Sequence, residues 1–396
     1  MRRQLATGLA ASFLWLCAAA AQAGWEEGVM AFQSGNYTAA AQEFQVVVDQ
    51  QPSWPGGYLM MGRTLLKLNR QGDAVGYLQQ AYELNPADSA TSLTLGRTLL
   101  DLDRPADALA VLGKTPEADI PAANRPTFYQ LRGQAYLQNN QPQSALPDLA
   151  QAARLSPDSA ALQLLYGTQE LKYGELERAL PALAAALRLA PDNLDANKAN
   201  LQGLLELARH SEGAEQTAAY GRVADAAAQL VKLDSTFDNL QLLASAEHSA
   251  GRLDAAFEHY GRAAELQPGE WQPYSSRAQI RLGQERYADA EPELLKAVEH
   301  APAENQTRLW SQLGLVYEKL PAPDYFDQAK DAYRQAGDSA GLARVAENER
   351  IYWENRKLDD AQALEARKRA CAKEITRILD SGGIPPSMDE CLAAKG

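Results

Sequence analysis

The sequence predicts an all-α protein: a solenoid of stacked helix-turn-helix units, finished by a C-terminal capping helix. Three observations predict it. Small residues recur at a spacing of 34 along much of the chain, a proline closes many of these intervals at a constant phase, and the apolar residues are chiefly alanine and leucine. Valine, isoleucine and phenylalanine are sparse, which favours helix over strand. At 396 residues the chain is too long for one ordinary core. Repetition uses such length by burying each unit against its neighbour.

The period is phase-locked. Gly28, Gly62 and Gly96 are 34 residues apart, as are Gly133 and Gly167. Pro52 and Pro86 share the spacing, and so do Pro157 and Pro191, and Pro268 and Pro302. After Gly62 come Ala74 and Ala81, after Gly133 Ala145 and Ala152, and after Gly167 Ala179 and Ala186. Two helices approach closely only where small side chains lie at their crossing, so the glycine belongs to the first helix and the alanines to the second. Larger residues fill the gaps, such as Phe32 with Phe44, Leu65 with Leu78 and Tyr136 with Leu149. Turn sequences such as Ser34-Gly35-Asn36 and Ala250-Gly251-Arg252 separate the two helices, and the proline ends the pair.

With these landmarks the chain resembles the tetratricopeptide repeat, a 34-residue helix-turn-helix unit. That resemblance implies a right-handed superhelical solenoid. Residues 24–193 hold five units, the third degenerate where Gly113 to Pro126 replaces the closing proline. Residues 194–340 hold four repeat-like units. The first of these carries about nine extra residues near Ala208 to Tyr220, because Pro191 and Pro268 are 77 apart. A few more residues enter at Leu320 to Tyr325. From 341 to 396 the period stops, and a long polar helix with a short tail forms the cap.

The N-terminus is of another kind. Arg2 and Arg3 precede an apolar run from Leu5 to Ala20, and Ala21-Gln22-Ala23 is a small-x-small site. This is the layout of a secretory signal peptide over residues 1–23, with the mature chain starting at Gly24 and placed in a periplasm. An uncleaved anchor is the alternative. Cys17 is preceded by Trp15 and Leu16, where a lipoprotein signal carries small residues. Without that segment no stretch is apolar enough to span a bilayer. Cleavage also leaves Cys371 and Cys391 as the only cysteines, and an oxidising compartment would join them.

The formal charge is −13, and 36 basic against 51 acidic residues would remain after cleavage. No run of lysine and arginine offers a stripe for nucleic acid. Enzyme motifs are missing too. The four histidines never occur at the i, i+4 spacing of a helical zinc pair, and no phosphate loop, HExxH, GxSxG or CxxC is found. The sequence therefore implies no catalytic residue, cofactor or metal.

A binding surface is the better expectation. In the family it resembles, the first helices line a groove, and the residue after each small landmark faces it. That row reads Arg63, Arg97, Gln134, Thr168 and Gln202, with Ser245 and Gln279 further on. Arginine presents a planar fork suited to carboxylates. The family's lysine-and-asparagine clamp for peptide C-termini is not carried over, since Trp25 and Val29 stand at two of its positions. The expected role is a scaffold for protein or peptide partners in envelope assembly or secretion. A polysaccharide-binding or export helper is the alternative, which aromatic groove residues would favour.

Overall fold

The computed structural model describes residues 24–321, 323–382 and 384–394, so the signal segment, with Arg2, Arg3 and Cys17, lies outside the described residues. Among them there is helix and no strand. The chain divides into two compact units, Met1–Leu207 and Ala208–Gly396.

In the first unit the helices come as antiparallel pairs. They are α1 (24–33) with α2 (Tyr37–Gln50), α3 (Pro55–Lys67) with α4 (Gln71–Leu84), α5 (Ser89–Asp101) with α6 (Pro105–Leu112), α7 (Arg125–Gln138) with α8 (Pro142–Leu155), and α9 (Ala160–Tyr173) with α10 (Leu176–Leu189). Helix α11 (Leu194–His210) crosses the boundary between units. The second unit holds α12 (Gly213–Leu233), α13 (Phe237–Ser249) with α14 (Leu253–Leu266), α15 (Gln272–Gly283) with α16 (Tyr287–His300), and α17 (Ala303–Lys319) with α18 (Phe326–Ala336). Helices α19 (Ser339–Asp380) and α20 (Met388–Ala394) end it.

The landmark residues are packing devices. A Cβ placed on Gly62 would lie 2.6 Å from Leu78, and one on Gly28, Gly96, Gly133 or Gly167 would lie 2.8–2.9 Å from Phe44, Leu112, Leu149 or Leu183. Each partner is sixteen residues on, about two turns past the start of the second helix. Ala74, Ala81, Ala145, Ala152 and Ala179 are completely buried at the same crossings. Seven residues after the landmark the chain turns through positive φ: Gly35, Asn69, Asp103, Asn140, Gly251 and Glu285 all adopt it. Only glycine does so without strain, and asparagine and aspartate do so more readily than the rest. The next helix is then capped or opened by proline, as at Asn36, whose Oδ1 accepts from Ala39 N, or at Pro105 and Pro142 in the first turn.

The irregularities are local. Helix α6 has only eight residues, and two 3-10 turns (Glu117–Asp119 and Ala122–Asn124) take the place of its end, with buried Ile120 between them. The extra residues near 208–220 are helical apart from Ser211 and Glu212, since α11 has 17 residues and α12 has 21 where helices such as α9 and α4 have 14. In the last pair, Gly314 meets Tyr333 nineteen residues on, the added residues lying in the α17–α18 connection.

The C-terminal helix is longer than a cap requires. Only its first turns pack on the last repeat, with Val345 fully buried, and Gly341 lies so close to Tyr333 that a Cβ would be 2.5 Å from its ring. Glu318 on α17 accepts hydrogen bonds from Tyr333 on α18 and from Nε and Nη2 of Arg344 on α19. Burial alone would raise the Glu318 carboxyl, but these donors hold it below the usual range. At the far end a disulfide joins Cys371 to Cys391, with Cα atoms 5.8 Å apart, and fixes α20 against α19.

Candidate binding groove

One stripe of each first helix in the first unit is left uncovered by its partner. The landmark faces the second helix, so the residue after it lies about 100° round, and residues four before and three after that one share its stripe. The stripes read Leu59–Arg63–Leu66, Leu93–Arg97–Leu100, Gln130–Gln134–Leu137 and Leu164–Thr168–Leu171. A polar row thus runs between two rows of mostly leucine.

Two open depressions lie along it. Arg63 and Arg97 line one of about 490 Å³, together with Leu66, Leu93, Thr94 and Asn124. Arg97 also lines a second of about 530 Å³, with Leu100, Gln130, Gln134 and Leu137. Asp101 lines both. Thr168 is not presented to a ligand in the same way, because its hydroxyl donates back to the carbonyls of Leu164 and Leu165. Gln202 is exposed on α11, and Ser245 and Gln279 are exposed in the second unit.

Several arginines of the first unit are engaged in ion pairs, and Arg63 and Arg97 are not among them. Arg70 and Arg104 pair with Asp73 and Asp107, Arg132 with Asp148, and Arg178 with Glu170. Among the described residues Arg63 and Arg97 have no ion-pair partner, nor has Lys67 one turn beyond Arg63. Against Asp101, the one carboxylate that lines the two depressions, Arg63 and Arg97 leave this end of the groove positive in a chain of formal charge −13. Fields of this kind draw anionic groups toward the surface.

Behind the groove, buried ion pairs fix the helices that carry it. Arg132 Nε and Nη2 donate to the two oxygens of Asp148, both at 2.7 Å, and the guanidinium lies 4.7 Å from the centre of Phe128. The second unit repeats the device: Arg277 lies 3.0 Å from Glu293 and stacks on Phe257. Burial pushes the Glu293 carboxyl up despite its cationic neighbours. In the α9–α10 turn, buried Glu170 accepts from the Glu175 amide and from Arg178. Its carboxylate fills the space a side chain on Gly174 would need. Among the helix pairs of the first unit, that turn alone departs from positive φ, with Gly174 at −119°.

The rows of leucine beside the arginines were not singled out by sequence, although the i−4 and i+3 offsets from Arg63 and Arg97 find them. Ion pairs such as Arg132–Asp148 carry no sequence signal of their own, since 16 residues separate the partners.

Two family models described as tetratricopeptide repeat match this chain, one over residues 71–123 and the other over residues 2–55 and 131–196. No curated protein matches it. Among solved structures it is similar to YrrB, described as a TPR protein with an unusual peptide-binding site, at 17% identity and a TM-score of 0.43, over 50% of this chain and 94% of that one. The C-terminal part of a TPR repeat-containing protein from Cytophaga hutchinsonii is similar at 17% identity and a TM-score of 0.43, over 62% and 93%. MamA from Desulfovibrio magneticus RS-1 is similar at 18% identity and a TM-score of 0.34, over 46% and 97%. Glycines seated on the second helices at a 34-residue period, together with the two models, show that this chain carries tetratricopeptide repeats over the matched residues, a kind of repeat that supports protein–protein interaction scaffolds.

Proposed function

We propose that the chain is an exported, periplasmic scaffold that holds partner proteins during envelope assembly or secretion, and that binding rather than catalysis is its role. The observation that carries the binding half is the shared depression of Arg63 and Arg97, both without ion-pair partners and flanked by leucines. Such a surface suits an extended protein segment bearing acidic and apolar side chains. The polar row contains no aromatic residue, so stacking on sugar rings, which a polysaccharide partner would use, has little support.

Export rests on the charged, apolar and Ala-x-Ala order of residues 1–23. N-terminal sequencing of protein from its native host is expected to begin at Gly24. Recovery of a membrane-bound form that retains Met1 would overturn the cleavage.

The binding half is tested by crosslinked capture from native envelopes, using the mature protein and an Arg63→Ala/Arg97→Ala variant. The variant is expected to lose the acidic partner with its fold intact, by about 10-fold or more if each arginine makes a charge-assisted contact. A variant that captures the same partners as strongly as the parent would exclude the groove.

A further inference from the structure

Beyond Tyr352, helix α19 leaves the repeats. Every residue from 353 to 370 is exposed, a length of about 27 Å at 1.5 Å per residue, and among the described residues of its unit this stretch packs on nothing until α20 meets it at Cys371. A free-standing polar helix would need no further account. This one carries large apolar residues in the open: Ile351 is 42% exposed, Leu358 57% and Leu379 57%. At about 100° per residue, these three together with Ala361 and Ala372 fall within about 80° of arc. Cys371, which α20 covers, lies about a quarter-turn away.

The charges along the same segment are separated. Residues 354–365 hold four carboxylates and two cations, a net −2, whereas residues 366–377 hold five cations and one carboxylate, a net +4. Two such helices side by side in the same direction would set like halves together. Running in opposite directions, each acidic half meets a basic one.

We propose that α19 is a self-association arm, through which two copies of this chain pair by antiparallel packing of residues 354–379. With Ala361 opposite Ala372 of the second copy, Leu358 falls opposite Ile375, Glu365 opposite Lys368 and Leu379 opposite the aliphatic stem of Glu354. The two alanines let the helices approach closely, as small residues do at a helix crossing. Charged residues within an otherwise apolar seam fix register and orientation at some loss of stability. Glu365 and Lys368 already pair within one helix at 2.8 Å, but both are about half exposed, so that contact contributes little alone and can be shared across the dimer. The partner is a second copy because the complement of each half of the arm is its own other half.

Sedimentation of the mature full-length chain over a range of concentration and salt tests this. The expected result is a monomer–dimer equilibrium that weakens as salt rises. Glu365→Lys alone and Lys368→Glu alone are each expected to weaken homodimers by about 10-fold or more, since each sets like charges opposite one another. An equimolar mixture of the two variants, or the double exchange in one chain, should restore pairing. Far-UV circular dichroism on each variant establishes that the helices remain formed. A chain monomeric under all conditions would overturn the proposal, and so would a dimer that both single variants leave unchanged.

Discussion

Leucine in place of Gly133 is expected to destabilise the first unit by about 1–3 kcal/mol or more, because the site has no room for any side chain. A Cβ there would lie 2.8 Å from Leu149 Cδ2 and 2.9 Å from its Cγ. Leu149 is 1% exposed and Ala145 and Ala152 are fully buried beside it, so it has nowhere to retreat, and α7 and α8 would have to move apart. In a stack whose units touch mainly their neighbours, the damage should stay local. Hydrogen exchange is the measurement: protection should fall most across residues 126–193 and little in the second unit. An even loss along the chain would show that the repeats are not a quasi-linear array.

The second large effect is expected at Asp148. Its side chain is 8% exposed and receives both donors of Arg132, whose side chain is 24% exposed. Asp148→Ala leaves that guanidinium unpaired over Phe128, and breaking a buried pair on one side costs about 3–5 kcal/mol, here toward the lower figure because Arg132 keeps some water. Replacing both partners together by apolar residues of similar size should be far milder, since no buried charge is then left over. The contrast with Asp73→Ala sharpens the test. The Arg70–Asp73 pair is 58% and 54% exposed, and its loss should change stability by less than about 1 kcal/mol. Urea midpoints of the three variants decide it; equal losses at Asp148 and Asp73 would refute the difference in environment.

Much of this architecture is legible in the sequence because the repeat states each requirement several times over. The glycine whose Cβ would clash, the buried alanines and the positive-φ turn recur at fixed offsets from one landmark, so chance resemblance at any single position matters little. What recurs once is harder to read. Gly174 occupies the turn position but serves Glu170 rather than a positive φ, and nothing periodic marks that exchange. Thr168 aligns with Arg63 and Arg97, yet its short side chain satisfies itself on its own helix. The sequence also assigns residues beyond 341 to a cap, whereas only the first turns of α19 cap anything. Its further length follows from the lack of any glycine or proline between Gly341 and Gly382, a negative signal that says a helix continues without saying what it packs on.

The Cys371–Cys391 bridge changes what a protease would leave behind. The turn between α19 and α20 is open to solvent, with Ile384 98% exposed. Such turns are preferred sites of nicking. Because the bridge spans that turn, a cut within it leaves both fragments covalently joined, and the loss of mass would show only after reduction. A cut in the uncovered stretch from 353 to 370 has the opposite outcome, releasing the bridged tip as one piece. The same helix thus contains a segment where cleavage is silent and another where it is decisive, and the boundary between them is Cys371.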